Sequence, residues 1–135
     1  MSTLYKTSAR WVLLLGLASA LPGCVAAGAA AAGVGSGVYF TSRGAESILD
    51  GPPDQVERRA RAVLEKEGVR ITGEQTEKSG DKRELKGTKN DLDITVTMER
   101  QDSKSTKTEI SARKNLVTWD KDYAQQLLSK IVQQK

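Results

Sequence analysis

Between residues 54 and 68 the chain reads DQVERRARAVLEKEG, with Val56, Ala60, Val63 and Leu64 at i, i+4, i+7 and i+8. That spacing lays one apolar stripe along a helix. Asp50-Gly51-Pro52-Pro53 stands just before it. Prolines suit a helix start, where φ is preset and the missing N–H would have had no partner. Gly68 falls where a left-handed C-terminal cap is expected. A second stripe of Tyr123, Ala124, Leu127, Leu128, Ile131 and Val132 predicts another helix from about Asp120. Asp120 and Asp122 lie at the positive end of its dipole, Lys130 and Lys135 toward the negative end.

Between these stripes the period shortens to two. LDITVTM puts Leu92, Ile94, Val96 and Met98 on one side and Asp93, Thr95 and Thr97 on the other. Residues 106–113 alternate around Thr108, Ile110 and Ala112, and residues 83–88 do so weakly around Leu85. Residues 69–72 alternate and then fade toward Lys78-Ser79-Gly80-Asp81, a hairpin-turn composition. Residues 44–49, GAESIL, predict a short strand ahead of the first helix. A polar side on every strand argues for an antiparallel sheet open to water on one face. The expected fold is a single α+β domain over residues 42–135. It has four to five strands, two helices on one face and the order β-α-β-β-β-β-α.

The first 40 residues obey neither period. They are rich in Ala, Gly, Leu and Val, and Lys6 and Arg10 are their only charges. The apolar run WVLLLGLASA, residues 11–20, is too short to cross about 30 Å of hydrocarbon. A positive start before a short apolar run is the layout of a secretory signal. Leu21-Pro22-Gly23-Cys24 follows and resembles the bacterial lipobox. That resemblance implies a leader over 1–23, Leu21 and Gly23 as signal-peptidase recognition residues, and diacylglycerol on the Cys24 thiol. Val25 after the cysteine fits outer-membrane sorting, because inner-membrane retention in that class usually needs Asp there. Cys24 is the chain's single cysteine, so no disulfide forms within one chain. Two or three acyl chains would make the anchor effectively permanent.

Residues 24–41 then read as the lipidated cysteine and a Gly/Ala-rich tether. Gly33-Val34-Gly35-Ser36-Gly37 has the look of a dinucleotide loop, but no strand–turn–helix unit surrounds it. Gly33 and Gly37 also form a GxxxG pair, which offers a helix-packing face in lipid and a second reading as a membrane-associated oligomer. The whole chain, from lipobox through tether, YF before a strand, LEKEGV and WDKDYAQQLLSKIV, resembles a family of small Gram-negative lipoproteins of unknown function. The layout also resembles, more distantly and in fold only, helix-grip domains of outer-membrane assembly lipoproteins.

Charge changes the picture little. The formal net charge is +4, and loss of residues 1–23 would bring it to +2. Nucleic acid is not an expected partner. There is no histidine, which removes Ser-His-Asp and Cys-His catalysis and His-ligated zinc. The carboxylate pairs Asp91/Asp93, Asp120/Asp122 and Glu65/Glu67 would need a cleft that shifts one pKa, and their positions read as solvated surface. Arg58, Arg59 and Arg61 form the densest basic group. They are candidate contacts for lipid headgroups or a partner, or else a charged helix face with Glu57–Arg61 and Arg61–Glu65 pairs. Trp119 is expected to close the core, with an exposed partner anchor as the alternative. No catalytic residue, metal, cofactor or small-molecule substrate is expected. The protein reads as a non-enzymatic binding or scaffold module in the cell envelope. A covalent lipid would hold it on the membrane, outer membrane and periplasm-facing, with an envelope protein as its expected partner.

Overall fold

A computed structural model describes residues 37–134. Its elements are β1 (Tyr39–Phe40), β2 (Gly44–Asp50), α1 (Pro53–Lys66), β3 (Arg70–Thr76), β4 (Lys82–Lys89), β5 (Leu92–Arg100), β6 (Ser105–Arg113) and α2 (Lys121–Gln133). The strands form one six-stranded sheet in the order β1-β2-β6-β5-β4-β3, every pair antiparallel. From β2 onward the element order is the expected one. The strand count exceeds the expected four to five because Tyr39–Phe40, within the range read as tether, pairs with Glu46 and Ala45. Two residues are too few to show an alternation. The β1–β2 turn is held instead by Thr41, whose N–H donates to the Gly44 carbonyl (2.9 Å). The Thr41 hydroxyl in turn accepts from the Gly44 N–H at 3.0 Å.

α1 carries the chain from β2, near one edge, to β3 at the other, and the β3–β6 meander returns to lie beside β2. The helix starts on Pro52 and Pro53 without a side-chain cap, and buries Pro53, Val56, Ala60, Val63 and Leu64. It ends as its sequence predicts. Gly68 adopts φ +75°, its N–H donates to the Glu65 carbonyl (3.0 Å), and the Val69 N–H reaches back to Leu64 (2.9 Å). That pairing satisfies two carbonyls the helix end would otherwise orphan. In α2 the Asp120 carboxylate accepts from the Tyr123 N–H at 2.9 Å, a side-chain cap on an otherwise unpaired donor. Ala124, Leu127, Leu128 and Ile131 are buried, with Tyr123 and Val132 packed at the margin.

The core lies between these helices and one face of the sheet. α2 packs on β2 and β6, and α1 on β3, β4 and β5. Leu85, Ile94, Val96, Met98, Ile110 and Ala112 point inward. Gly44 lets α2 approach, since a methyl group there would overlap the Ile110 carbonyl and touch Ala124. Three hydroxyl residues are buried with the apolar ones: Ser47, Thr106 and Thr108. Thr106 donates to the Gly51 carbonyl at 2.8 Å. Ser47 and Thr108 sit opposite each other across β2 and β6, and neither hydroxyl has a hydrogen-bond partner among the described residues.

Candidate functional site

The lipidation residue Cys24 and the recognition residues Leu21 and Gly23 lie outside the described residues, as does Gly33. Gly37 lies inside them, its α-carbon region against the Tyr39 ring. Among the described residues no helix is long and apolar enough to cross a membrane.

The three arginines of α1 do not converge on one patch. Arg58 pairs with Asp54 at 3.3 Å and is largely exposed. Arg59 donates to the Asp50 carbonyl at the end of β2. Arg61 bridges Glu57 (3.2 Å) and Glu74 (2.6 Å), and those two carboxylates, Glu74 foremost, raise its pKa above the ordinary guanidinium value. Glu57 also takes Arg83 of β4 at 2.6 Å and is itself only 15% exposed. The anticipated Arg61–Glu65 pair is replaced by this link from α1 to β3 and β4.

The carboxylate pairs are dispersed too. Asp91 is exposed in the β4–β5 turn, while Asp93 pairs with Arg113 at 3.3 Å. Asp120 caps α2, and Asp122 is exposed in its first turn. Glu65 is exposed, while Glu67 accepts from Lys130 at 2.6 Å, a contact that lowers its pKa. Among the described residues no group of three or more acidic side chains is placed to hold a metal ion.

What the fold does assemble is the sheet face without helices. Strand register sets side chains there in rows. One row is Ser111, Thr95 and Lys86, and the next is Glu46, Glu109, Thr97 and Glu84. Ser111, Thr95 and Thr97 form a hydroxyl floor to a shallow depression of about 410 Å³, with Glu84, Lys86, Asp93, Glu109 and Arg113 around it. Most of these charges are paired: Lys86–Glu84 (3.0 Å), Lys107–Glu46 (3.2 Å) and Arg113–Asp93. Glu109 has no ion pair among the described residues.

Trp119 and Arg43 close one end of the depression, with the guanidinium 5.7 Å from the indole centroid. Trp119 therefore does not close the core. Its backbone bridges Arg113, and residues directly opposite in an antiparallel pair share a face. Arg113 lies on the helix-free face, so Trp119 does as well, half-buried there. Such a surface offers hydroxyl donors and acceptors, both charge signs and one aromatic ring. It suits a polar, extended ligand and offers no enclosed apolar volume.

No family model matches the chain, and no curated protein matches it.

Proposed function

We propose that this chain is a lipid-anchored envelope protein, acylated on Cys24, whose α+β domain serves as a non-enzymatic binding or scaffold module facing the periplasm from the outer membrane. The lipobox-like Leu21-Pro22-Gly23-Cys24 supports the anchor, as does the likeness to small Gram-negative lipoproteins. The observation that carries the binding role is the uncovered sheet face, where hydroxyls, paired charges and Trp119 lie side by side across β6, β5 and β4. A hydrogen-bonding floor with an aromatic end fits a polar chain, a glycan or an extended peptide segment of an envelope partner, laid across the strands.

Two measurements test this reading. Mass spectrometry of the mature protein should find an acylated N-terminal Cys24; an N-terminus that still carries residues 1–23 would overturn the anchor. Capture from envelope extracts should return a partner with the native chain and lose it with Ser111→Arg, which raises a long side chain from the floor. Equal capture by both would remove the open face from the proposal, and no reproducible capture would remove the binding role.

A further inference from the structure

The β6–α2 loop holds two aliphatic side chains in water. Leu116 is 88% exposed and Val117 85%. A lone exposed aliphatic is ordinary, but this adjacent pair is held out by an ordered backbone. The Lys114 N–H donates to the Thr118 carbonyl at 2.9 Å. The Asn115 side-chain oxygen accepts from the Val117 N–H (3.1 Å) and the Thr118 N–H (2.9 Å). At the base of the loop the Asp120 N–H donates to the Ala112 carbonyl at 2.7 Å, next to the Arg113–Trp119 bridge. Folding the tip back onto the core would break these bonds.

The surroundings of the tip are cationic. Lys114 and Lys121 are exposed beside it, Arg113 stands at its base, and Arg43 lies over Trp119 just behind. Of the nearby carboxylates, Asp120 caps α2 and Asp93 pairs with Arg113, while Asp122 is exposed in the first turn of α2 and offsets one of these cations. Aliphatic tip, cationic collar and a half-buried indole behind them repeat the layering of a bilayer surface: acyl chains, phosphates, then the headgroup region where indoles settle. A protein-binding centre has the opposite make-up, aromatic and depleted of charge.

We propose that this loop inserts Leu116 and Val117 into an anionic phospholipid surface and so rests the domain on the membrane by the N-terminal end of α2. The inference builds on the proposed Cys24 anchor, which would keep that surface within reach. The chain from 24 to 36 can extend about 43 Å at about 3.3 Å per residue, more than the roughly 30 Å length of β6. The tether can therefore turn back to the loop end of the sheet.

The test uses the full acylated chain reconstituted into vesicles of phosphatidylcholine, alone or with phosphatidylglycerol. An environment-sensitive dye is placed through Leu116→Cys, Val117→Cys or, at the opposite end of the sheet, Ser79→Cys. Dye at 116 and 117 should shift to the blue and be quenched by lipid-borne quenchers, more so with phosphatidylglycerol, while dye at 79 stays in water. Lys114→Glu with Lys121→Glu should weaken the quenching about tenfold. Dye at 116 and 117 as wet as at 79 in both vesicles would overturn the proposal. So would a wet dye combined with loss of a captured envelope protein in Leu116→Ser, which would make the tip a protein contact. The same dyes on a Cys24→Ser full chain separate the two readings. Loss of flotation in that variant supports the anchor and flotation equal to that of the acylated chain overturns it, whereas a dye at 116 that stays wet on the floating acylated chain overturns the loop alone.

Discussion

Strand β5 sends Ile94, Val96 and Met98 into the core and Asp93, Thr95 and Thr97 into water, and the two faces of the sheet differ more than that alternation suggests. On the covered face, packing volume does the specifying, and two buried hydroxyls, Ser47 and Thr108, go without partners among the described residues. On the open face most charges are matched to an opposite one. Polar groups are thus better matched where water could have served them. The covered face tolerates little because its atoms are packed. The open face carries little of the fold's stability, which leaves its residues available for binding.

Substitutions can break or sharpen that contrast. Leu128→Ala empties a fully buried site under α2 and should cost about 2–5 kcal/mol in urea unfolding; a loss below about 1 kcal/mol would mean the covered face is loosely packed. Glu57→Gln weakens its bonds to Arg61 within α1 and to Arg83 of β4 and should cost about 1–3 kcal/mol, whereas Arg58→Gln, which breaks only an exposed pair, should cost less than about 0.5 kcal/mol. Thr108→Val replaces an unpartnered hydroxyl by a methyl of similar volume and should stabilise by about 1 kcal/mol. A destabilisation would show that the hydroxyl is used. Thr97→Ala on the open face should change stability by less than about 0.5 kcal/mol. The smallest effect is electrostatic. Lys130 holds Glu67 below its ordinary pKa, so the pair's contribution is full above the unfolded-state carboxyl pKa and fades as pH falls through the depressed folded value. Lys130→Met should let Glu67 titrate closer to the ordinary value by NMR and shrink that acid loss.

The sequence legibility of the fold follows burial. Both helix stripes and β5 are plain because a buried face demands apolar residues at fixed spacing. β3 is harder to see. It is an edge strand whose residues are mostly exposed, and its register shifts between Ile71 and Gly73, so main-chain pairing to β4 maintains it where side chains carry no pattern. β1 is set by two backbone pairs, a turn threonine and the buried Val38 just before it. The candidate site is less legible still. Arg58, Arg59 and Arg61 are close in sequence, but their partners, Asp54, Asp50 and Glu74, come from three elements of the fold. The depression instead gathers one to three residues from each of five segments, none distinctive alone. Leu116 and Val117 had one available signal, an aliphatic pair outside either stripe between Lys114-Asn115 and Thr118.

The two-residue β1 has a mechanical consequence. Among the described residues it is the sole ladder ahead of β2, and an antiparallel strand tugged from its end gives way pair by pair. Releasing residues 37–43 would lengthen a leash by about 23 Å at about 3.3 Å per residue while leaving β2 through α2 in place. Tension on the domain would therefore be absorbed first at this small clasp, drawing the buried Val38 from the edge of the core before the rest of it.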